Sequence, residues 1–130
     1  MDDFTTAYLE AALWTSDDET NPEQGGQPLD SNYSNDDIEA ETLAEMIEDC
    51  RKFQEDNVEL IIDDNVAVES DHSCDARAGH DFWLTRNGHG AGFWDGDWTE
   101  PAATELTDAA QKFGEYNITA TGKGGKVYKM

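Results

Sequence analysis

Positive charge is what this chain lacks most. Its 130 residues include only eight Lys or Arg against thirty Asp or Glu, a formal net charge of −22. Nucleic acids and anionic membranes carry the same sign, so bulk electrostatics excludes direct binding to either. Long apolar runs are also missing: none approaches the ~20 residues of a bilayer-spanning helix. Two cysteines, Cys50 and Cys74, make no disulfide framework. The opening "MDDFTT" is acidic where a secretory leader would be basic, which predicts a cytoplasmic protein. His72, Cys74, His80 and His89 offer metal-ligating atoms, but their spacing follows no recognised zinc pattern. No metal or other cofactor is expected. Nor does any nucleophile elbow or triad spacing appear, so no catalytic residue is assigned and the chain is not read as an enzyme.

The length suits one domain with one core. Composition divides it into an acidic helical part, about 1–60, and a hairpin–helix–hairpin part, about 78–130. Residues 3–14 read as a first helix, with Phe4, Tyr8, Ala11 and Ala12 at helical spacing. Residues 15–33 hold Pro, Gly-Gly and five acids and read as a loop. A second helix is expected from about Asp37 to Asn57, after a Ser34–Asp37 capping pattern, with Leu43, Met46, Ile47, Cys50 and Phe53 as its apolar stripe. A further helix spans about Glu100 to Phe113, with Pro101 in its first turn and Gly114 ending it. The final "YNITATGKGGKVYKM" reads as a hairpin turning at "GKGG". The expected fold is α+β: about three helices packed on a small, mostly antiparallel sheet built from two hairpins.

The other hairpin is the segment "GHDFWLTRNGHGAGFWDGDW", 79–98, with three of the four tryptophans. Two aromatic runs flank Asn87-Gly88, a pair that tolerates positive φ and so signals a tight turn. The glycines at 88, 90 and 92 sit between the two runs, where a phosphate-cradling loop would lead into a helix. Two uses of the segment stand beside plain core packing. Trp83, Arg86, His89, Trp94 and Trp98 make a candidate contact patch, since Trp and Arg are enriched at binding hot spots. His80, Asp81, Arg86, His89 and Asp95 have the groups a small enzyme would use as acid, base and charge stabiliser.

Charge placement suggests a different site. Residues 1–50 carry fifteen acids and no Lys or Arg, so pairing within that stretch cannot cancel its field. Asp17, Asp18, Glu19, Asp36, Asp37, Glu41, Glu45, Glu48 and Asp49 are the candidate partner-binding acids. Carboxylates at i and i+3 or i+4 stand about 4.5–6 Å apart along a helix. DNA carries one charge per ~3.4 Å per strand, so helix two with the acidic loops at 15–37 and 63–75 approaches that density if they share a face. An acidic face of this kind attracts basic proteins, among them those that bind nucleic acid. Plain solvation of the surface is the competing explanation for the charge.

The block "AGHDFWLTRNGHGAGFWD" (78–95) resembles the signature of a family of small uncharacterised proteins encoded by bacteriophages and prophages. "YLEAALW", "PLDSNYSNDDIEAETLAEMIEDCRKFQ", "LTDAAQKFGE" and "GGKVYK" extend the resemblance over most of the chain. It implies a phage origin and work in the cytoplasm of an infected bacterium, but no residue roles. Together with the charge, this predicts a small acidic phage protein that binds, and perturbs, a basic host or defence protein by imitating nucleic acid.

Overall fold

The computed structural model describes residues 1–18, 27–68, 72–120 and 126–130. Among them the chain forms α1 (Asp3–Thr15), β1 (Asp17–Asp18), β2 (Gln27–Pro28), α2 (Ala40–Asp56), α3 (Cys74–Arg86), α4 (Ala102–Gln111), β3 (Ile118–Thr119) and β4 (Tyr128–Lys129). The class remains α+β, but the expected layout is overturned. The described residues form four α-helices rather than about three, and their strands are confined to two separate two-stranded antiparallel pairs, β1 with β2 and β3 with β4. The pairing of β3 with β4 matches the closing hairpin, although its "GKGG" turn lies outside the described residues.

The aromatic block is the main correction. Residues 74–86 are helix, not the first strand of a hairpin. Ser73 caps the helix, its Oγ accepting from Ala76 N–H at 3.1 Å, and Asp75 sits in the positively polarised first turn. Asn87-Gly88 ends the helix instead of turning a hairpin. Gly88 adopts φ +70°, His89 N–H donates to Leu84 O at 3.0 Å and Gly88 N–H to Thr85 O at 3.2 Å, the double closure of a Schellman motif. The second run, 92–98, is irregular: Gly92 and Gly96 take positive φ, Phe93 and Trp98 turn inward, and Trp94 faces solvent.

Parallel packing of α1 on α3 forms the centre of the molecule. Asp3 meets Ser73 at one end, and Trp83 Nε1 donates to Thr15 Oγ1 at the other. Close approach is possible because position 79 is glycine: a Cβ there would stand 1.9 Å from Phe4 O. Around this pair the rings of Phe4, Tyr8, Phe53, Phe82 and Phe93 stack, tightest between Phe53 and Phe82 at 4.2 Å, and Phe113 meets Phe82 edge-on. From α2, Met46, Cys50 and Phe53 join this core, Leu43 is half-buried, and Ile47 is exposed, so the stripe is narrower than its spacing suggested. Ahead of α2, the Asp37 carboxylate accepts from Ser34 N–H at 2.9 Å, so the predicted cap closes a short 3-10 turn rather than the helix itself. No helix among the described residues is long and apolar enough to cross a membrane.

Candidate functional site

Arg86 organises the interior behind the aromatic block. Its guanidinium donates to Asp49 Oδ2 and Tyr8 Oη, both at 2.9 Å, and to the carbonyls of Gly114 at 2.8 Å and Phe113 at 3.3 Å. Phe82, Phe113 and Tyr116 rings lie 5.4–5.5 Å from it. The last carbonyls after α4 thus bond a cation supplied by α3, and Asp49 of α2 balances its charge. Arg86 is structural, and a partner cannot reach it.

Trp83 and Trp98 are likewise buried, Trp98 donating its Nε1–H to Asp81 Oδ2 at 2.8 Å. Of the proposed contact patch, Trp94 is exposed and His89 half-buried, so a five-residue surface patch does not form. The acid–base set does not converge either. Asp81 is buried and serves Trp98, Arg86 is engaged as above, and exposed Asp95 accepts from Gly92 N–H within its own turn. His80 Nδ1 lies 3.5 Å from Asp81 Oδ1. His89 opens on a different depression from the one that His72 and His80 line. Among the described residues no group of three or more His, Cys, Asp or Glu is arranged to hold a metal ion.

The candidate acids scatter as well. Glu45 accepts from Tyr116 Oη at 3.1 Å and pairs with Lys129 at 3.6 Å. Glu48 pairs with Arg51 at 2.7 Å, which holds its carboxyl below the usual range, and Asp49 pairs with Arg86. The bases come from outside residues 1–50: Arg51 follows Glu48 by three residues within α2, while Arg86 and Lys129 are brought to Asp49 and Glu45 by the fold. Asp36 and Glu41 remain exposed, Asp37 closes the turn before α2, and Asp17 and Asp18 form β1. Glu19 lies outside the described residues.

A different set of carboxylates does converge. The parallel packing of α1 and α3 brings their N-termini together, and the short turn Asp63–Asn65 lies beside them. Burial first, and then repulsion from Asp2, Asp3 and Asp63, raises the Asp75 carboxyl above its ordinary range. Burial, Asp63 and Asp75 push the Cys74 thiol up to about 11. Asp2 is partly shielded, which alone would raise it, but hydrogen bonds from Thr5 and Gln54 hold it low. Asp3 continues this cluster into a groove of about 640 Å³ that also holds Glu10, Asp30, Trp14, Tyr33 and His80. Asp3, Glu10 and Trp14 share one stripe of α1, and the Trp14 ring, 55% exposed, stacks on His80 at 6.1 Å and 22°. Arg77 also lines the groove, but Asp97 holds it at 3.0 Å. None of Asp2, Asp3, Glu10, Asp30, Asp63 and Asp75 pairs with a Lys or Arg among the described residues.

Sequence reasoning named the acidic loop 63–75 but did not join it to Asp2, Asp3 and the groove. One signal was available: Trp14 lies off the Phe4–Tyr8–Ala11–Ala12 stripe, one turn after Glu10, so its ring belongs to the solvent face of α1. The chain matches no protein-family model, no curated protein and no solved structure.

Proposed function

We propose that the protein works by binding: its acidic surface engages the nucleic-acid-binding face of a basic protein in the cytoplasm of a phage-infected bacterium and blocks it. One observation carries this reading. Burial first, and then the neighbouring Asp2, Asp3 and Asp63, raise Asp75, and carboxylates without a Lys or Arg partner among the described residues continue through Asp3 into the groove of Glu10 and Asp30. Such a field is retained only where no internal base cancels it, and it steers cationic surfaces toward the molecule. The likeness of residues 78–95 to a phage-encoded block supports the setting. The proposed binding surface is therefore the α1–α3 edge rather than the outer face of α2.

Immobilised protein challenged with bacterial lysate, eluted with a salt gradient and competed with duplex DNA, tests the reading. The expected result is a nucleic-acid-binding protein that leaves at moderate salt and is displaced by DNA. Partners that persist in high salt and ignore DNA contradict it, because ring-anchored binding is insensitive to screening.

A further inference from the structure

We infer that the groove between α1, α3 and the 30–35 turn is a seat for an arginine side chain presented by the partner protein. This inference rests on the acidic-surface reading above and names what the surface grips.

Two observations point to a planar cation. First, the walls carry Asp3, Glu10 and Asp30, while the guanidinium that lines the groove, Arg77, is already held by Asp97. An entering cation therefore meets negative charge and no free positive charge from Arg77. Second, Trp14 and His80 lie nearly parallel and Trp14 is over half exposed, leaving an indole face open. Trp is the best cation–π partner, and a guanidinium stacks flat on a ring as an ammonium does not. The volume, about 640 Å³, falls among those of ligand-sized pockets and exceeds what a lone ion needs. Carboxylates for charge and an open indole face for stacking together match arginine better than lysine.

The experiment measures binding of two fluorescent peptides of equal length and charge, one arginine-rich and one lysine-rich, to the full chain at low and moderate salt. The arginine peptide is expected to bind more tightly. Trp14→Ala should weaken the arginine peptide about two- to fivefold and leave the lysine peptide nearly unchanged. Glu10→Gln with Asp30→Asn should weaken both. The substituted side chains Glu10, Trp14 and Asp30 are all exposed, and circular dichroism checks that each variant folds. Equal affinity for the two peptides, or an arginine preference untouched by Trp14→Ala, overturns the groove assignment and leaves the acidic-surface reading standing. Failure of both peptides to bind at low salt overturns that reading, and the groove assignment falls with it.

Discussion

Replacing Arg86 with alanine is the sharpest test of how the interior is held together. The guanidinium is buried, with 3% of its side chain exposed, and connects four elements of the chain. Its loss strands Asp49, Tyr8 Oη and the carbonyls of Phe113 and Gly114, and removes three ring contacts. Removing one member of a buried ion pair costs about 3–5 kcal/mol. Asp49 keeps 30% side-chain exposure, so water offsets part of its stranded charge and the lower end applies, about 3 kcal/mol. With ΔS near 2.1 cal/mol/K per residue, a chain of 130 residues loses about 4 °C in Tm per kcal/mol, giving a fall of roughly 11 °C. Arg86→Lys should recover little, because an ammonium cannot fork between a carboxylate, a phenol and two carbonyls. Thermal unfolding followed by circular dichroism reads all three proteins. A Tm for Arg86→Ala within about 2 °C of the parent, or a lysine variant equal to the parent, would refute the argument.

Gly79→Ala should part α1 from α3, since the new Cβ meets backbone atoms of Phe4 at 1.9 and 2.8 Å. The gain of about 1 kcal/mol in helix propensity is outweighed, and a net loss of about 2 kcal/mol is expected by denaturant titration; an unchanged midpoint contradicts the close approach. Cys74 should label slowly with a thiol reagent, because a shift from 9.0 to about 11 leaves roughly 100-fold less thiolate near neutral pH. Salt and Asp75→Asn should each speed it, while buried Cys50 stays silent until unfolding; rapid labelling of both thiols counts against the carboxylate cluster. Because its carboxyl is raised, the folded chain holds the Asp75 proton more tightly than the unfolded chain does. That contribution to stability is full at low pH and is lost as pH rises through the folded value. Asp75→Asn should therefore stabilise the protein at neutral pH and change nothing below the carboxylate range, as paired denaturation curves will show. Trp98→Phe should cost about 1–3 kcal/mol by leaving buried Asp81 Oδ2 without its 2.8 Å donor, and a loss under 0.5 kcal/mol by the same assay would refute that role.

Much of the fold is legible in local signals. For α1 and α4 the apolar spacing was enough, and for α2 the stripe through Met46, Cys50 and Phe53 marked the buried face. Helix α3 was not legible, for two physical reasons. It is buried from Ala78 through Arg86 except His80, so no polar face alternates with an apolar one to set a period. Its Asn87-Gly88 end needs the same positive φ as a hairpin turn, and residue type alone does not separate a Schellman closure from a turn. The site was hidden for a related reason. The excess of acid in residues 1–50 is plain, but which acids stay unpaired depends on Arg86 and Lys129, brought in from distant positions. Meanwhile Asp63 and Asp75 join Asp2 and Asp3 only because α1 and α3 run parallel. Arg86, Trp83 and Trp98 have the chemistry of hot spots, and the fold uses that chemistry inside.

The most direct test of the central claim is the salt dependence of binding between this protein and a basic nucleic-acid-binding protein captured by it. It is compared with the variant carrying Asp2→Asn, Asp3→Asn, Asp63→Asn and Asp75→Asn. Asparagine keeps the helix cap at position 2 while removing the charge. The account predicts affinity that falls steeply with ionic strength, with weaker binding and a shallower slope for the variant. Affinity independent of salt and identical in the two proteins would contradict it.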